Sequence, residues 1–286
     1  MSFRRRDLLL SGAPFASAGA QAAARRLLIP RVSARAKLDH NFAAALLGQA
    51  LAAAGLPVLL EPTPELIPQN RALQELGRRS GRLDVVWTMT SSEREQVARP
   101  IRVPIYKGLF GWRLLLAAPE VAARLRTVHN LADLSRFTLL QGLEWPDTGV
   151  LQANGLNVVV SPSYDAMFKQ LRLGRADAFP RSVEEVWWEL DRYGQGLTVV
   201  PDLCLHYPAA VYYFVAPDDD ELAAAIELGL HKLRASGAFD RLFMAHHGDD
   251  IARARLASRR IIELHNPLLP KQKPLDKPEL WFKPQG

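Results

Sequence analysis

Short apolar segments alternate with helical segments in the first third of the chain, and this alternation constrains the fold more than any other feature. The order strand, helix, strand, helix, strand is typical of parallel sheets that are covered by helices. A second series of the same kind follows between residues 137 and 190. The sequence therefore predicts an α/β protein. The first-series strands are expected at residues 26–30, 57–60 and 83–87, and its helices at residues 42–54 and 69–79.

The first 24 residues have the features of an export signal. Three arginines at residues 4–6 precede a modest apolar stretch, and small residues then offer two A-x-A cleavage sites. Residues 5–9, Arg-Arg-Asp-Leu-Leu, also resemble a twin-arginine signal. The apolar stretch is shorter than the roughly 20 residues of a membrane-spanning helix. We expect cleavage near residues 20–24 and a periplasmic protein, with a frayed basic tail as the alternative.

Charge and cysteine content exclude several classes of protein. The chain has 36 Lys+Arg and 30 Asp+Glu, and two of the six net positive charges lie in the predicted signal. Basic residues are mixed with acidic ones along the chain, so no nucleic-acid partner is expected. The single cysteine, Cys204, excludes an internal disulfide and a Cys-based zinc site. Scattered histidines and the lack of a P-loop or GxGxxG motif predict neither metal nor cofactor.

A set of short motifs carries a family resemblance. Residues 84–94 read DVVWTMTSSER and are followed by PIY at residues 104–106. Later segments are DL at residues 133–134, TLLQG at 138–142 and LRLGRADA at 171–178. In order and approximate spacing, these motifs resemble those of family 3 solute-binding proteins, the amino-acid-type periplasmic binding proteins of ABC transporters. The resemblance covers about residues 26–260.

The resemblance implies a type 2 periplasmic-binding-protein fold. In that fold, two α/β lobes are joined by two crossover strands, and the ligand binds in the cleft between the lobes. We expect residues 25–107 and 209–265 to form lobe one and residues 108–208 to form lobe two. Five prolines mark residues 266–286 as a C-terminal tail, which we expect to pack on lobe one.

Arg94 is the first candidate for ligand binding in lobe one. The arginine of the corresponding loop holds the ligand carboxylate in the resembled family, and a guanidinium matches a carboxylate with two parallel hydrogen bonds. The alternative is a surface arginine paired with Glu93 or Glu95. Trp87 is a candidate for stacking on the ligand or for the core. Further candidates in lobe one are Thr88, Thr90, Ser91 and Tyr106.

In lobe two, the segment from Gln141 to Thr148 joins a strand to a helix, whose first N–H groups are suited to an anion. Asp147 is either the helix cap or a ligand contact. Trp145 and Tyr164 are candidate aromatic contacts, and Arg181 is expected to help Arg94 hold an anionic ligand.

Ser182 marks a departure from the resembled family. Amino-acid binders of that family place there an aspartate that pairs with the ligand ammonium. Unless Glu184 or Glu185 reaches the ligand, the resemblance therefore implies that the ligand is not an ordinary α-amino acid.

These residues predict an exported, monomeric solute-binding protein that is not an enzyme. It captures a small carboxylate-bearing or amino-acid-like solute and delivers it to the permease of an ABC-type transporter. Two alternatives remain: a ligand sensor that docks on a membrane receptor, and a dehydratase-like enzyme on the same fold. In the enzyme, Glu144, Asp147 and Arg181 would be the catalytic groups.

Overall fold

The computed structural model describes residues 25–31, 41–270 and 277–284. The predicted export signal at residues 1–24 lies outside the described residues, as does part of the predicted C-terminal tail. No helix within the described segments is both long and apolar enough to cross a membrane.

Helices and strands alternate through most of the described chain, as the sequence pattern predicts. The strands are β1 (Arg25–Ile29), β2 (Val58–Pro62), β3 (Val86–Met89), β4 (Arg99–Ile101), β5 (Trp112–Ala117), β6 (Thr138–Gly142), β7 (Asn157–Ser161), β8 (Phe179–Ser182), β9 (Thr198–Val199), β10 (Leu203–His206), β11 (Val211–Val215) and β12 (Arg260–Glu263). The helices are α1 (Phe42–Ala53), α2 (Gln69–Gly77), α3 (Arg94–Val97), α4 (Pro119–Leu125), α5 (Leu131–Leu134), α6 (Pro146–Ala153), α7 (Tyr164–Arg172), α8 (Val183–Tyr193), α9 (Asp220–Ala235) and α10 (Ala238–Ala254).

The first α/β unit contains strands from both ends of the chain. Strand β1 pairs in parallel with β2, and β11 runs antiparallel between β3 and β4. The Asp84 amide donates to the Leu28 carbonyl over 2.8 Å, which joins β1 to the segment that leads into β3. Helices α1 and α9 pack closely because Gly229 has no side chain at their contact. A Cβ at this position would collide with the Ala50 carbonyl. The strands and helices of this unit come from the residues that we expect to form lobe one.

The second α/β unit has the strand order β12-β10-β5-β8, with β9 paired to β5. Strands β6 and β7 pair in parallel, and the Leu140 amide donates to the Ala178 carbonyl over 2.8 Å, which places β6 beside β8. Because the sheet faces are covered by helices, β5 is almost completely buried and reads as a nearly continuous apolar run. The exception within that run is Arg113.

Strand β12 corrects the predicted lobe boundary. Residues 260–263 were expected in lobe one, but β12 pairs in parallel with β10 and so extends the sheet of the second unit. The physical reason is that β10 would otherwise expose an unpaired edge, and pairing also buries Ile262. The rest of the predicted division into lobes stays a prediction.

The C-terminal helices also differ from expectation. The sequence suggested separate helices near residues 239–247 and 251–259, whereas α10 continues without a break to Ala254. It ends where Arg255 adopts a left-handed conformation with φ 46°. Helix α10 contacts both α9 and α8, and the Trp187 indole donates to the Asp250 carbonyl over 3.1 Å.

The described parts of the tail contact the first unit, where we expected the tail to pack, and also helix α6 of the second unit. The Ser92 amide donates to the Leu268 carbonyl over 2.9 Å, and the Leu268 side chain lies against Gly149 in α6. Farther along, the Phe282 amide donates to the Lys107 carbonyl over 2.7 Å. Apolar side chains of the tail are thus buried against both units, because burial of apolar surface is favourable on either one.

Cys204 lies between two leucines in β10 and, as this apolar setting predicts, is fully buried. Burial raises the pKa of its thiol to about 12, so the thiol stays protonated at neutral pH.

Candidate functional site

Arg94 lies at the start of α3, just after the loop that follows β3, and only 6 % of it is exposed. One terminal nitrogen, Nη1, donates to Thr88 Oγ1 over 2.6 Å and to the Met89 carbonyl over 2.9 Å. The Ser91 hydroxyl accepts from the Arg94 amide over 3.2 Å. The loop is therefore folded around this one side chain.

The other terminal nitrogen of Arg94 contacts oxygens from two further segments. Nη2 donates to Asn70 Oδ1 over 2.9 Å and to Gln69 Oε1 over 3.4 Å, both at the start of α2. It also reaches the Glu144 carbonyl oxygen, in the β6–α6 loop, at 3.5 Å. This last contact joins the two α/β units directly.

All of the oxygens that accept from the Arg94 guanidinium within the described residues are neutral. Burial lowers the pKa of Arg94 to about 10, although the charges of Asp147, Glu93 and Glu144 act in the opposite direction. A buried cation without an anionic hydrogen-bond partner is costly, because a neutral oxygen compensates only part of the lost hydration. Arg94 is therefore suited to accept an anionic group.

The interpretation of Arg94 as a surface arginine paired with Glu93 or Glu95 is wrong. Its side chain is buried, and the carboxylate of Glu95 accepts instead from the Thr90 hydroxyl over 2.8 Å and from Arg102 over 2.5 Å. Thr90 consequently binds Glu95 and not Arg94.

In the second unit, the β6–α6 loop is closed by Thr148, whose hydroxyl donates to the Gly142 carbonyl over 2.8 Å. This bond places the end of β6 beside the first turn of α6. Gln141, at the end of β6, is fully buried. Its Nε2 donates weakly to the Pro180 carbonyl at 3.4 Å, and its Oε1 has no hydrogen-bond partner among the described residues.

Asp147 occupies the first turn of α6 and is 7 % exposed. Its Oδ1 accepts from Arg113 Nη2 and from the hydroxyl of Tyr207. The helix cap alternative is wrong, because Trp145 occupies the N-cap position and Asp147 lies two residues inside. An aspartate so near the N-terminus of α6 is stabilised by the helix dipole.

The environment of Arg181 differs from the prediction that it shares an anion with Arg94. The Arg181 guanidinium donates twice to the Glu189 carboxylate over 2.7 Å and also pairs with Glu185 at 2.7 Å. It lies 4.8 Å from the ring centre of Trp145. With two carboxylates as partners, Arg181 has no unpaired charge to offer, so its part in anion binding is without structural support.

Three neighbouring glutamates of α8 differ in the direction in which their pKa values are shifted. Burial opposes ionisation of Glu185, but Arg181 and Arg113 outweigh burial, so its pKa is lowered. Burial raises the pKa of Glu189 despite Arg181. Burial and the charges of Glu185 and Glu189 raise the pKa of Glu184 to about 8. The Tyr164 hydroxyl donates to Glu189 over 2.5 Å, so Tyr164 supports this network and has no contact with Arg94.

The remaining predicted residues lie elsewhere. Trp87 contacts Tyr213 edge-on at 6.4 Å and packs against the core. Tyr106 is buried beside Phe42 and Phe110, with ring centres 5.1 and 4.6 Å away. The Ser182 amide donates to Glu185 over 3.0 Å. Of the predicted residues, the structure places Thr88, Ser91 and Asp147 near Arg94, and Thr148 closes the loop whose Glu144 carbonyl contacts Arg94.

Sequence reasoning missed Arg113, Tyr207, Gln69 and Asn70. One signal was available: Arg113 interrupts the apolar run of β5, and a charge in a buried strand needs a partner. Nothing in the sequence pairs Tyr207 with Asp147, because they are 60 residues apart. Among the described residues, no group of three His, Cys, Asp or Glu side chains is placed to hold a metal ion.

Comparisons with known proteins define the fold. No family model matches the sequence, and a search of curated proteins found no match. Solved structures do match. A periplasmic His/Glu/Gln/Arg/opine family-binding protein from Silicibacter pomeroyi, in complex with lysine, has a TM-score of 0.59 at 15% identity. The match covers 79% of this chain and 98% of that one.

Two further solved structures also match the fold of this chain. A periplasmic binding protein of Salmonella typhimurium with high arginine specificity has a TM-score of 0.55 at 19% identity, covering 77% of this chain and 97% of that one. An ancestral amino-acid-binding protein, a precursor of cyclohexadienyl dehydratase, has a TM-score of 0.56 at 14% identity. That match covers 78% of this chain and 94% of that one. The structural neighbours are thus amino-acid-binding proteins, and the chain has the two-lobed α/β fold of periplasmic binding proteins, as predicted.

Proposed function

We propose that this chain is an exported solute-binding protein that captures a small, carboxylate-bearing solute between its lobes. The observation that carries the proposal is Arg94, a buried guanidinium whose described acceptors are all neutral oxygens. A ligand carboxylate would replace the Asn70 amide and the Glu144 carbonyl at Nη2 and supply the missing negative charge. The amino-acid ligands named for the structural neighbours support the same class of solute.

Capture requires the lobes to separate and close again. The contact between Arg94 and the Glu144 carbonyl spans the two units, so separation would open Arg94 to solvent and closure would bury it again. Closure around a ligand removes water and strengthens the contact between charges. The bound, closed form would then dock on the permease of an ABC-type transporter at the outer face of the membrane.

A binding screen on the protein without residues 1–24 tests the proposal. Amino acids, oxo acids, dicarboxylates and aromatic acids are added singly while thermal unfolding is followed. A ligand at 100 times its Kd is expected to add about 2.7 kcal/mol to the free energy of unfolding. Mass spectrometry of the recovered ligand is expected to show no turnover. If no carboxylate shifts the transition, the proposal fails.

Variants of Arg94 test whether this residue binds the ligand carboxylate. Arg94→Lys keeps a positive charge but loses the planar pair of donors, so affinity for the carboxylate identified in the screen is expected to fall at least about tenfold. Arg78→Ala is the control, because Arg78 is an exposed arginine in the same unit. Equal affinity of Arg94→Lys and the wild type would contradict the assignment of Arg94.

A further inference from the structure

The start of helix α2 covers the outer nitrogen of Arg94. Nη1 is held within its own loop by Thr88 Oγ1 at 2.6 Å and by the Met89 carbonyl at 2.9 Å. Nη2 donates instead to Asn70 Oδ1 in α2 over 2.9 Å. Asn70 is exposed, whereas only 6 % of Arg94 is exposed. The solvent side of this guanidinium is therefore occupied by the Asn70 amide.

The neighbouring residues Gln69 and Asn70 contact Arg94 in different ways. Gln69 Oε1 lies 3.4 Å from Nη2 and also accepts from the Thr88 hydroxyl over 3.0 Å, so it is attached to β3. Within the described residues, the side chain of Asn70 has its single hydrogen bond at Arg94. Rotation of this short side chain would break that bond alone. Asn70 can thus leave Arg94 while Gln69 stays in place.

The bond between Asn70 and Arg94 has opposite effects on the empty and the occupied site. In the empty site, the Asn70 oxygen is the closest acceptor of Nη2 and compensates part of a buried charge. A carboxylate that binds Nη2 must break this bond first, and the free energy of the broken bond is lost from the binding free energy. Because both groups belong to one chain, the Asn70 oxygen is always present beside Arg94.

Resting on the proposed function, we infer that Asn70 is a built-in competitor for the carboxylate site on Arg94 and that it sets the affinity of this site. Its Oδ1 takes the position of a carboxylate oxygen when the site is empty and leaves that position when a carboxylate binds. A neutral amide is suited to this role, because an anion forms the stronger hydrogen bond to a guanidinium. An aspartate at the same position would pair with Arg94 and block the site.

The competitor role predicts two effects of opposite sign when the Asn70 amide is removed. The empty protein becomes less stable, because Arg94 loses the closest acceptor of Nη2. The affinity for a carboxylate rises, because no bond has to be broken. A residue that only supports the fold would lower both quantities, and a residue that binds the solute directly would lower the affinity. The direction of the affinity change therefore separates these roles.

Calorimetry with defined carboxylates tests that direction. The probes are L-glutamate, 2-oxoglutarate, glutarate and benzoate, one from each class of the binding screen. For the probe that binds the wild type most tightly, Asn70→Ala is expected to increase the affinity by about three- to tenfold. Asn70→Asp is expected to reduce it by at least about tenfold, because the introduced carboxylate pairs with Arg94.

Gln74→Ala is the matched control for Asn70→Ala. Gln74 is also exposed and lies one turn further along α2, so its removal is expected to leave the affinity unchanged. Thermal unfolding without a probe gives the second effect. Asn70→Ala is expected to unfold at a lower temperature than Gln74→Ala, since it alone removes a bond to Arg94.

A measurement without any probe tests the contact itself. The carboxyl group introduced by Asn70→Asp should have a pKa at least about one pH unit lower than the same group in Asn70→Asp/Arg94→Met, because a nearby cation favours the ionised form. The end of α2 acts equally on both. Carbon-13 NMR measures the two pKa values. If the double variant does not fold, the carboxyl group introduced by Arg71→Asp, exposed at the same helix end, is the reference.

Two results overturn the inference: unchanged or weaker probe binding in Asn70→Ala, and a pKa of the introduced carboxyl group that does not depend on Arg94. A third result concerns the proposed function. If that pKa is lowered but no carboxylate binds either the wild type or Asn70→Ala, the contact between residue 70 and Arg94 stands. The proposed function then fails, and the competitor role fails with it.

Discussion

The main-chain amide of Ser92 donates to the carbonyl of Leu268 over 2.9 Å, so the C-terminal tail is attached to the loop that carries Arg94. Two residues earlier, Asn266 donates from its side-chain amide to the Pro208 carbonyl over 2.9 Å. His265 exchanges two hydrogen bonds with the Asn154 side chain, of 2.9 and 2.7 Å. We call residues 265–268 the strap, since they connect α6 of the second α/β unit to the Ser92 loop of the first unit.

Asn154→Ala is expected to detach the strap from α6. It removes both bonds to His265, which should lower the free energy of unfolding by about 1–2 kcal/mol. The Ser92 amide should then exchange its hydrogen faster, since its acceptor belongs to the strap. Hydrogen exchange followed by mass spectrometry measures this rate.

Asn157→Ala is the matched control for the strap, because Asn157 donates to the Ser135 carbonyl within the second unit over 2.7 Å. It should cost similar stability without changing exchange at Ser92. Unchanged exchange at Ser92 in Asn154→Ala would show that the strap does not hold the loop.

Arg113→Met is expected to destabilise the protein by about 3–5 kcal/mol, because Asp147 would keep a buried charge without its ionic partner. Adding Asp147→Asn should restore part of the loss, since the second change removes that charge. Urea unfolding of the two single variants and the double variant measures the coupling.

Arg124→Met is the control for the variants of Arg113 and Asp147. Arg124 is exposed and lies 3.9 Å from Asp177, so its removal should change stability by less than about 1 kcal/mol. If the Arg113 and Asp147 changes are simply additive, the two side chains do not act as a pair.

We expect the buried His247 to lower the free energy of unfolding in acid. It is buried against Phe42 and Phe243, and neither ring nitrogen has a hydrogen-bond partner within the described part of the chain. Burial, with a smaller effect of His246, lowers its pKa to about 3. The unfolded chain binds a proton near pH 6.5, so stability is complete above that pH and falls as the pH drops towards 3.

At pH 5 the loss from His247 should be about 2 kcal/mol relative to neutral pH. His247→Leu, which cannot be protonated, should lack this component, whereas the exposed His231→Leu should retain it. Urea titrations at pH 7.5 and pH 5 measure the difference. A parallel pH dependence of wild type and His247→Leu would refute the assignment.

Gly142→Ala is expected to disturb the cleft. A Cβ at Gly142 would lie 2.5 Å from Cδ2 of Trp145, so the indole would have to leave its place beside Arg181. We expect a loss of about 1–3 kcal/mol in stability and weaker ligand binding.

Gly48→Ala is the comparison for Gly142. Its Cβ would meet only a leucine methyl group at 3.9 Å in α1, so helix propensity should raise stability by about 0.5–1 kcal/mol. Unchanged stability and unchanged tryptophan fluorescence in Gly142→Ala would contradict the steric argument.

Much of the fold was predictable because local patterns determine it. Ser163 caps α7 by accepting from the Ala166 amide, and a serine directly before an amphipathic segment is typical of an N-cap. Strand β5 is another local case, since an apolar run flanked by glycine and proline has few alternatives to a strand. Strand β12 was misplaced because pairing with β10 depends on a partner more than 50 residues away.

The sequence by itself determined the alternation of strands and helices, the burial of Cys204 and the candidate status of Arg94 and Asp147. Each follows from periodicity or from residue type in a short segment. Only the tertiary structure decided which charges are free. It paired Arg181 with Glu185 and Glu189, gave Asp147 to Arg113 and Tyr207, and left Arg94 with neutral acceptors. The physical reason is that a buried charge is compensated or left uncompensated by its partners, and distant elements of the chain bring those partners within hydrogen-bond distance.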